Sequence, residues 1–582
     1  MTTQQARKTV RVAAAQFAVG VDLEQNLQSC LHWIRAAAAC QPDLLVLPEF
    51  ANHASWYDDQ EHCDRVSVDL DGAFLKAIAE AVKELGAHVV INVTLRRGGG
   101  VCTGTSVLFS PEGNILGTND KQVLIGHENQ FLRRAEEPGP IVDTPIGRLG
   151  LYACMDGVVS ETPRGLALRG AEILCNSLNS FATDEGSLHI PVRAAENRVF
   201  VVAANKIGPL IPKELLEPVS QQTGIPVRFL SGAGDSQIVA PDGTVLAMAS
   251  ADQAELIWAD IDLADVQDSI RPDGTDLISS RRPDLYAPVA ADPETQAAPT
   301  FDGAEALEVA AIQLPGTGAG ALEAACALVA EAEVLGARYV VLPELFFLPG
   351  QRVQDVQQAL QASAELVPAL QAVCGSSKVA CSIVEEGPKG PMLTAVLISQ
   401  EGVVLRQGLL HGSVRHAWSA TVDAVHSLDD GEATIGLLCS DDALYPEVGR
   451  LLAMQGVDLL LVSAQPLEAW ELRTGLVERA AENRINLVAA CQPGAQGNSL
   501  ICSLQRDFTV MTPWEHRPFD GLLSQPELSR AAAHPGITQA TVYPAAAANK
   551  VVSLGTDMVR GRAWWLAGPL AGLPADSLKK AS

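Results

Sequence analysis

The stretch RAAENRVFVVAAN at residues 193–205 returns as RAAENRINLVAAC at 479–491, and this repeat constrains the fold more than any other feature of the chain. Two more pairs keep the same order: VRVAAAQF (10–17) with LEVAAIQL (307–314), and DLLVLPEF (43–50) with YVVLPELF (339–346). The separation shrinks slightly from pair to pair along the chain, as expected for one plan used twice with short loop deletions in the second copy. A chain of 582 residues is also too long for a single core. The expected organisation is a first domain over 1–286, a linker over 287–306 and a second domain over 307–582. The linker reading rests on APVAADPETQAAPTFDGAEA, rich in Ala, Pro and Thr and without apolar periodicity.

Within each half, short runs rich in β-branched residues (HVVINVTL, TSVLFS, LGLYAC, FVVAAN) alternate with helical spacing such as Leu23, Leu27, Leu31 and Ile34. That alternation predicts α/β domains. DLLVLPE and DLLLVSA are apolar almost throughout, which predicts strands covered on both faces. RRGGGVCTG at 96–104 lacks the Gly-Lys-Ser/Thr ending of a phosphate loop, so it predicts a hairpin connection and no nucleotide site.

Charge narrows the partners. A formal net charge of -28 leaves no basic footprint for nucleic acid or an anionic membrane surface. The twelve cysteines show neither CxxC pairs nor His-rich spacing, so neither a disulfide framework nor a metal site is expected, and no cofactor is implied. No apolar stretch approaches the roughly 18 residues of a membrane span, and MTTQQARKTVRVAAAQF lacks the design of a signal peptide. A cytoplasmic location is expected.

Three chemically able residues fall at predicted strand ends of the first half: Glu49 after LLVLP, Lys121 in GTNDKQVLI, and Cys154 at the end of RLGLYAC. Each alone has an ordinary reading, as a helix-start carboxylate, a solvated turn lysine and a buried thiol. Together, in this order, with Gly150 four residues before the cysteine, Asp156 and Glu161 after it, and RAAENR downstream, they resemble the nitrilase, or carbon–nitrogen hydrolase, superfamily. The resemblance runs over the chain twice. It implies two tandem four-layer αββα sandwich domains and a Glu-Lys-Cys triad of Glu49, Lys121 and Cys154. It also implies a second glutamate after the lysine, for which Glu128 is the nearest match, while Glu196 and Asn197 are expected to hold backbone and subunit contacts rather than do chemistry.

The chemistry of such a triad is self-consistent. A cysteine attacks as thiolate, and at an ordinary pKa only a few per cent is ionised at neutral pH, so it needs a base. Glu49 is expected to take the thiol proton and return it to the leaving nitrogen. Lys121 is expected to face the developing oxyanion, with a backbone N–H after Cys154. The sequence Cys-Met-Asp departs from the Cys-Trp-Glu of true nitrilases and points to hydrolysis of a linear amide, releasing ammonia or an amine. N-carbamoyl or nitrile hydrolysis, and a non-catalytic binding protein, remain the alternatives. Trp56, Met155 and His189 are candidates to line the substrate pocket, each with a core-packing alternative.

The second half departs from the pattern. Counting from Gly436 as from Gly150 places Ser440, not Cys439, at the nucleophile position, and Asp442 and Glu447 where Asp156 and Glu161 stand. Counting eight residues from Gly402, as from Gly113 to Lys121, places Leu410 at the lysine position. Glu344 alone of the triad is kept, so the second domain is expected to be an inactive copy. Its expected role is to pair with the first domain within the chain, in place of the family's usual dimer, with room for further homo-oligomerisation. A competing role is binding an effector through Glu344.

Overall fold

The structure is a computed structural model and describes residues 9–267, 269–300, 302–439, 441–575 and 577–578. The chain forms two compact units that interleave in sequence. One comprises residues 1–268, 507–523 and 551–582, and the other 269–506 and 524–550.

The first unit holds two six-stranded sheets. One runs in the order Glu255–Asp262, Thr9–Gln16, Leu44–Val46, His88–Gly98, Val101–Phe109, Ile115–Asp120, with its three central strands parallel. The other runs Val245–Met248, Gln237–Val239, Phe200–Ala204, Ile173–Ser177, Gly147–Ala153, Val142–Thr144, again with a parallel centre. Side chains alternate across each strand. Val10, Val12 and Ala14 therefore meet Leu151, Ile173 and Val202 of the other sheet in one buried cluster. Ala13 and Ala15 point the other way, under the helices Leu23–Ala36 and Ala73–Leu85. On the far side, helices Glu161–Leu168 and Ile190–Asn197 cover the second sheet through Leu166, Ile190 and Ala194. The result is a four-layer αββα sandwich.

Local signals set the element ends. Asp22 caps the helix Leu23–Ala36 by accepting from Gln25 N at 2.9 Å. The helix buries Leu31 and Ile34, two of the four apolar positions read from the spacing, together with Asn26 and Cys30. Gly98, Gly99 and Gly100 all take positive φ in the hairpin between His88–Gly98 and Val101–Phe109, as the glycine-rich stretch predicts.

The second unit repeats the plan with two six-stranded sheets, packed through Val309, Leu437, Leu461 and Val488. Residues 287–300, expected as part of a linker, are built into this unit. Ala287–Ala290 and Pro293–Thr295 form 3-10 turns, and Tyr286 and Val289 are fully buried. The stretch looked unstructured because short proline-started turns leave no periodicity. Among the described residues no helix is long and apolar enough to cross a membrane.

Candidate active site

The strand Leu44–Val46 runs into Leu47 and Pro48 and delivers Glu49 fully buried. Phe50 follows at φ +48°, a left-handed conformation that a side chain adopts only when its surroundings hold it. Here Phe50 N donates to Asn92 Oδ1 at 3.0 Å and Glu49 N to the Leu178 carbonyl at 3.1 Å. Lys121 follows the edge strand Ile115–Asp120, with its N–H on the Gly104 carbonyl at 2.8 Å. Glu128 opens the short helical turn Glu128–Phe131. Lys121 Nζ lies 2.8 Å from Glu49 Oε1 and 2.9 Å from Glu128 Oε2. Two buried carboxylates thus clamp one ammonium.

Cys154 stands at the end of the strand Gly147–Ala153 with φ +49° and ψ -109°, a strained geometry of the kind found where a side chain must be presented. Its N–H is shared between the Ser177 carbonyl at 3.0 Å and Asn176 Oδ1 at 3.1 Å. Asp156 fastens this turn to the segment after Lys121. One oxygen accepts from Gln122 N at 2.9 Å and Val123 N at 2.8 Å, the other from Ala153 N at 3.3 Å. Arg193, first residue of RAAENR, donates to the Gly157 and Val158 carbonyls at 2.8 and 3.0 Å, and Glu196 holds it at 2.6 Å. Asn197 Nδ2 bonds the Arg193 carbonyl at 2.9 Å. The repeated motif therefore braces the cysteine turn from behind.

Burial dominates the electrostatics. It pushes the Glu49 carboxyl up to about 7, against the pull of Lys121. Burial also opposes the charge on Lys121, yet Glu128 and Glu49 hold its ammonium well above the ordinary lysine value. The Cys154 thiol is pushed well up by burial and by Glu49, with Lys121 opposing. The resting site therefore holds a protonated thiol beside a carboxyl group poised to change its protonation near neutral pH.

A second lysine, passed over in the sequence, completes the cage. Lys206 is 1% exposed, its Nζ has no hydrogen-bond partner, and burial pushes it down to about 7. The Phe50 ring lies 5.4 Å from Lys121 Nζ and 5.9 Å from Lys206 Nζ. The only signal in the sequence was a lysine two residues past the end of an apolar strand run, in VVAANK.

Beside Glu128 opens a cavity of about 130 Å³. Trp56 lines it and stacks on His127 with centroids 4.5 Å apart. Of the residues that form the clamp only Glu128 lines this cavity; Glu49, Lys121 and Cys154 do not, and neither do Met155 and His189. Met155 is 1% exposed and belongs to the same apolar cluster as the cavity wall, with Val158, Ile225 and Val510. His189 is 2% exposed, with Nε2 3.8 Å from Asp184.

Strand register identifies the equivalent positions of the second unit. Ala153 pairs with Ser177, and Cys439 pairs with Ser463 at the same place in the second sheet. Cys439 is therefore the counterpart of Ala153, and Ser440, which lies outside the described residues, follows it in sequence as Cys154 follows Ala153. Asp442 accepts from Leu410 N and His411 N, both at 3.0 Å, as Asp156 does from Gln122 and Val123. This corrects the lysine position: Leu409, not Leu410, corresponds to Lys121. The pairs Thr105 with Asp120 and Thr394 with Gly408 give the same answer. The hairpin turn at Gly402 is one residue shorter than the one at Gly113, so counting from that glycine overshoots.

Ion pairs fill the space around Glu344. His416 Nε2 lies 3.1 Å from Glu344 Oε1, Arg415 and Arg271 each reach Asp441 at 2.7 Å, and Arg271 also reaches Glu471 at 2.8 Å. Despite burial, Arg415 and His416 hold Glu344 below the usual carboxylate value. It is a fixed anion, unlike Glu49, and it is engaged by His416. Cys439 is 1% exposed within the main core of that unit, and burial pushes its thiol well up. Cys439→Ala is expected to leave kcat within two-fold of wild type at a stability cost of about 1 kcal/mol. A loss comparable to that of Cys154→Ala would assign the chemistry to the second unit.

The carbon-nitrogen hydrolase family model matches residues 11–271 and again 308–529. Among curated relatives, a nitrilase of Pyrococcus abyssi is 25% identical over 45% of this chain and 93% of its own length. A hydrolase encoded in the pqqF 5' region of Pseudomonas protegens is 31% identical over 48% of this chain and 91% of its own. An omega-amidase of Bos taurus is 26% identical over 48% of this chain and 97% of its own. Among solved structures, the C. elegans NitFhit protein is 24% identical over 48% of this chain and 67% of its own, with a TM-score of 0.41. Each relative thus matches about half of this chain. With the family model matched twice in tandem, the chain belongs to the carbon–nitrogen hydrolase family.

Proposed function

We propose that the first unit hydrolyses a linear, non-peptide amide through a thioester on Cys154, with Glu49 as the proton carrier and Lys121 as the oxyanion partner. The observation that carries this reading is the Glu49–Lys121–Glu128 clamp buried beside a cysteine on a strained strand end. Glu49 takes the Cys154 proton as sulfur attacks the carbonyl carbon, and Lys121 stabilises the negative oxygen of the tetrahedral adduct. The adduct collapses with the C–N bond breaking, and Glu49 returns its proton to the departing ammonia or amine. Water, deprotonated by Glu49, then attacks the thioester, and the carboxylic acid leaves as the thiol regains its proton. Glu128 keeps Lys121 charged and in place. The relatives named as amidases support the amide reading, and the second unit, without a lysine at Leu409, serves a structural role.

The test is to incubate the full chain with amides, N-carbamoyl compounds and nitriles, measuring ammonia and, by mass spectrometry, an acyl adduct on Cys154. Turnover of nitriles in preference to amides, or an adduct elsewhere, would overturn the proposal. A pH profile adds a second check. Glu49 must be ionised to act as base, so kcat/KM is expected to rise with pH through an apparent value near 7. Lys206 favours the ionised form of Glu49, so Lys206→Met is expected to move that limb upward, while Lys206→Arg restores it. An unmoved limb in the methionine variant would show that Lys206 does not tune the base.

A further inference from the structure

The cavity beside Glu128 says what the substrate carries, and an unexpected part of the chain forms one wall of it. Its lining is apolar: Trp56, Phe181, Leu210, Ile225 and Phe229 come from the first half of the sequence. Val510 and Met511 complete it from the second half, within the segment 507–523 that belongs to the first compact unit. Among the described residues no arginine or lysine lines it. Its polar lining consists of Ser55, His127, Glu128 and Asn179, whose Oδ1 is buried with no hydrogen-bond partner among the described residues while its Nδ2 donates to Ser55 Oγ at 3.0 Å.

Segment 507–523 is fixed to the unit rather than draped over it. The Gly521 carbonyl accepts from Thr183 N at 2.9 Å, Leu523 N donates to Asp184 at 3.2 Å, and Val510 N donates to the Val552 carbonyl at 2.7 Å. Phe519 packs against Phe181 and Phe229 with centroids 5.7 and 5.3 Å apart. Gly521 has φ +95°, and a Cβ there would meet the Phe229 ring at 2.9 Å, so only glycine allows this approach. Met511 holds φ +64° and is 39% exposed at the rim. Backbone strain at a residue that touches the cavity fits a wall whose place is set by its surroundings.

We infer that this cavity receives an uncharged, apolar acyl group and that Val510 and Met511, supplied from the degenerate half, are specificity residues for it. Size and charge both decide the class. An apolar cavity of about 150 Å³ is known to accept benzene, so about 130 Å³ suits a phenyl ring or a short alkyl chain. A substrate ending in a second carboxylate is disfavoured, because it would be desolvated against Glu128 and Asn179 Oδ1 with no arginine or lysine in the lining to meet it, while Lys121 is already clamped by its two glutamates and burial lowers His127 from the ordinary histidine value. The inference rests on the amide-hydrolysis reading, and its test separates the two.

Ammonia release from butyramide, hexanamide and phenylacetamide is compared with release from succinamate and glutaramate, using the full chain. The neutral amides are expected to exceed the carboxylate-ended ones by at least about ten-fold in kcat/KM. Equal or reversed preference overturns the inference while leaving amide hydrolysis standing. Thermal-shift binding of the same compounds to Cys154→Ala reads the cavity without turnover, so failure of catalysis does not hide its selectivity. The same neutral-over-carboxylate order there supports the inference, and its absence overturns it. Met511→Lys places a cation at the exposed rim without altering the core, and is expected to raise the succinamate-to-butyramide ratio about five-fold. An unchanged ratio in a folded variant removes Met511 from the specificity wall.

Discussion

Cys154→Ala is expected to bring ammonia release below about one per cent of wild type, with the fold kept and the melting temperature shifted by only a few degrees. In the proposed mechanism Cys154 alone forms the thioester, and loss of a covalent nucleophile is among the largest effects a single substitution has. The small stability cost has two causes. Alanine removes one buried heavy atom, worth about 1 kcal/mol. Alanine also carries a Cβ, so it meets the same strain at φ +49° as cysteine does. The bonds that hold the turn, from Cys154 N to the Ser177 carbonyl and Asn176 Oδ1 and from Ala153 N to Asp156, are all donated by backbone N–H groups and survive the change. Glycine at 154 is the instructive contrast: it too is inactive, but it relieves the backbone strain. Residual turnover of several per cent in the alanine variant, with no acyl adduct on Cys154 in the wild type, would place the chemistry elsewhere.

The residues legible in the sequence were those with a fixed place along a strand. Glu49, Lys121 and Cys154 all sit at or just beyond strand ends; the apolar runs gave those strand ends, and the resemblance to the carbon–nitrogen hydrolase superfamily gave their grouping as a triad. The counterpart of the nucleophile was readable for the same reason, because Gly150 and Gly436 lie inside paired strands. The counterpart of Lys121 was missed by one residue because the count crossed a hairpin turn, whose length no periodicity reports. Met155, the middle residue of Cys-Met-Asp, and His189, just before the RAAENR motif, were candidates by motif position, and both are buried without lining the cavity beside Glu128. Lys206 was invisible because its interest lies in what it lacks, a hydrogen-bond partner, and that is a property of packing. The swap of segments between units, with 507–523 and 551–582 packed into the first unit, could not be read either. Local composition describes a segment and not the partner it packs against.

Lys121→Met should lower kcat by 10²-fold or more, by analogy with the loss of an oxyanion-hole donor, and should destabilise the protein in a pH-dependent way. Methionine keeps the length and apolar stem of lysine, so the change removes the charge with little change in volume. Its two effects follow from the geometry. The ammonium lies 2.8 Å from Glu49 and 2.9 Å from Glu128, and its removal leaves two buried carboxyl groups facing each other with no cation clamped between them. Breaking a buried ion pair from one side costs about 3–5 kcal/mol, and the site relieves part of this by protonation. Glu49, already raised to about 7 by burial, loses the nearest charge that lowers it and rises further. A carboxyl group whose folded-state value exceeds its unfolded one contributes stability at acid pH that is lost as pH rises through the folded value. The destabilisation should therefore be smaller at pH 5 than at pH 8, and the acid limb of kcat/KM should move upward. Assays well below the melting temperature separate catalysis from unfolding, and the split between kcat and KM separates oxyanion stabilisation from substrate binding. A loss confined to KM, with the pH limb unmoved, would make Lys121 a substrate-binding residue and leave the oxyanion to another donor.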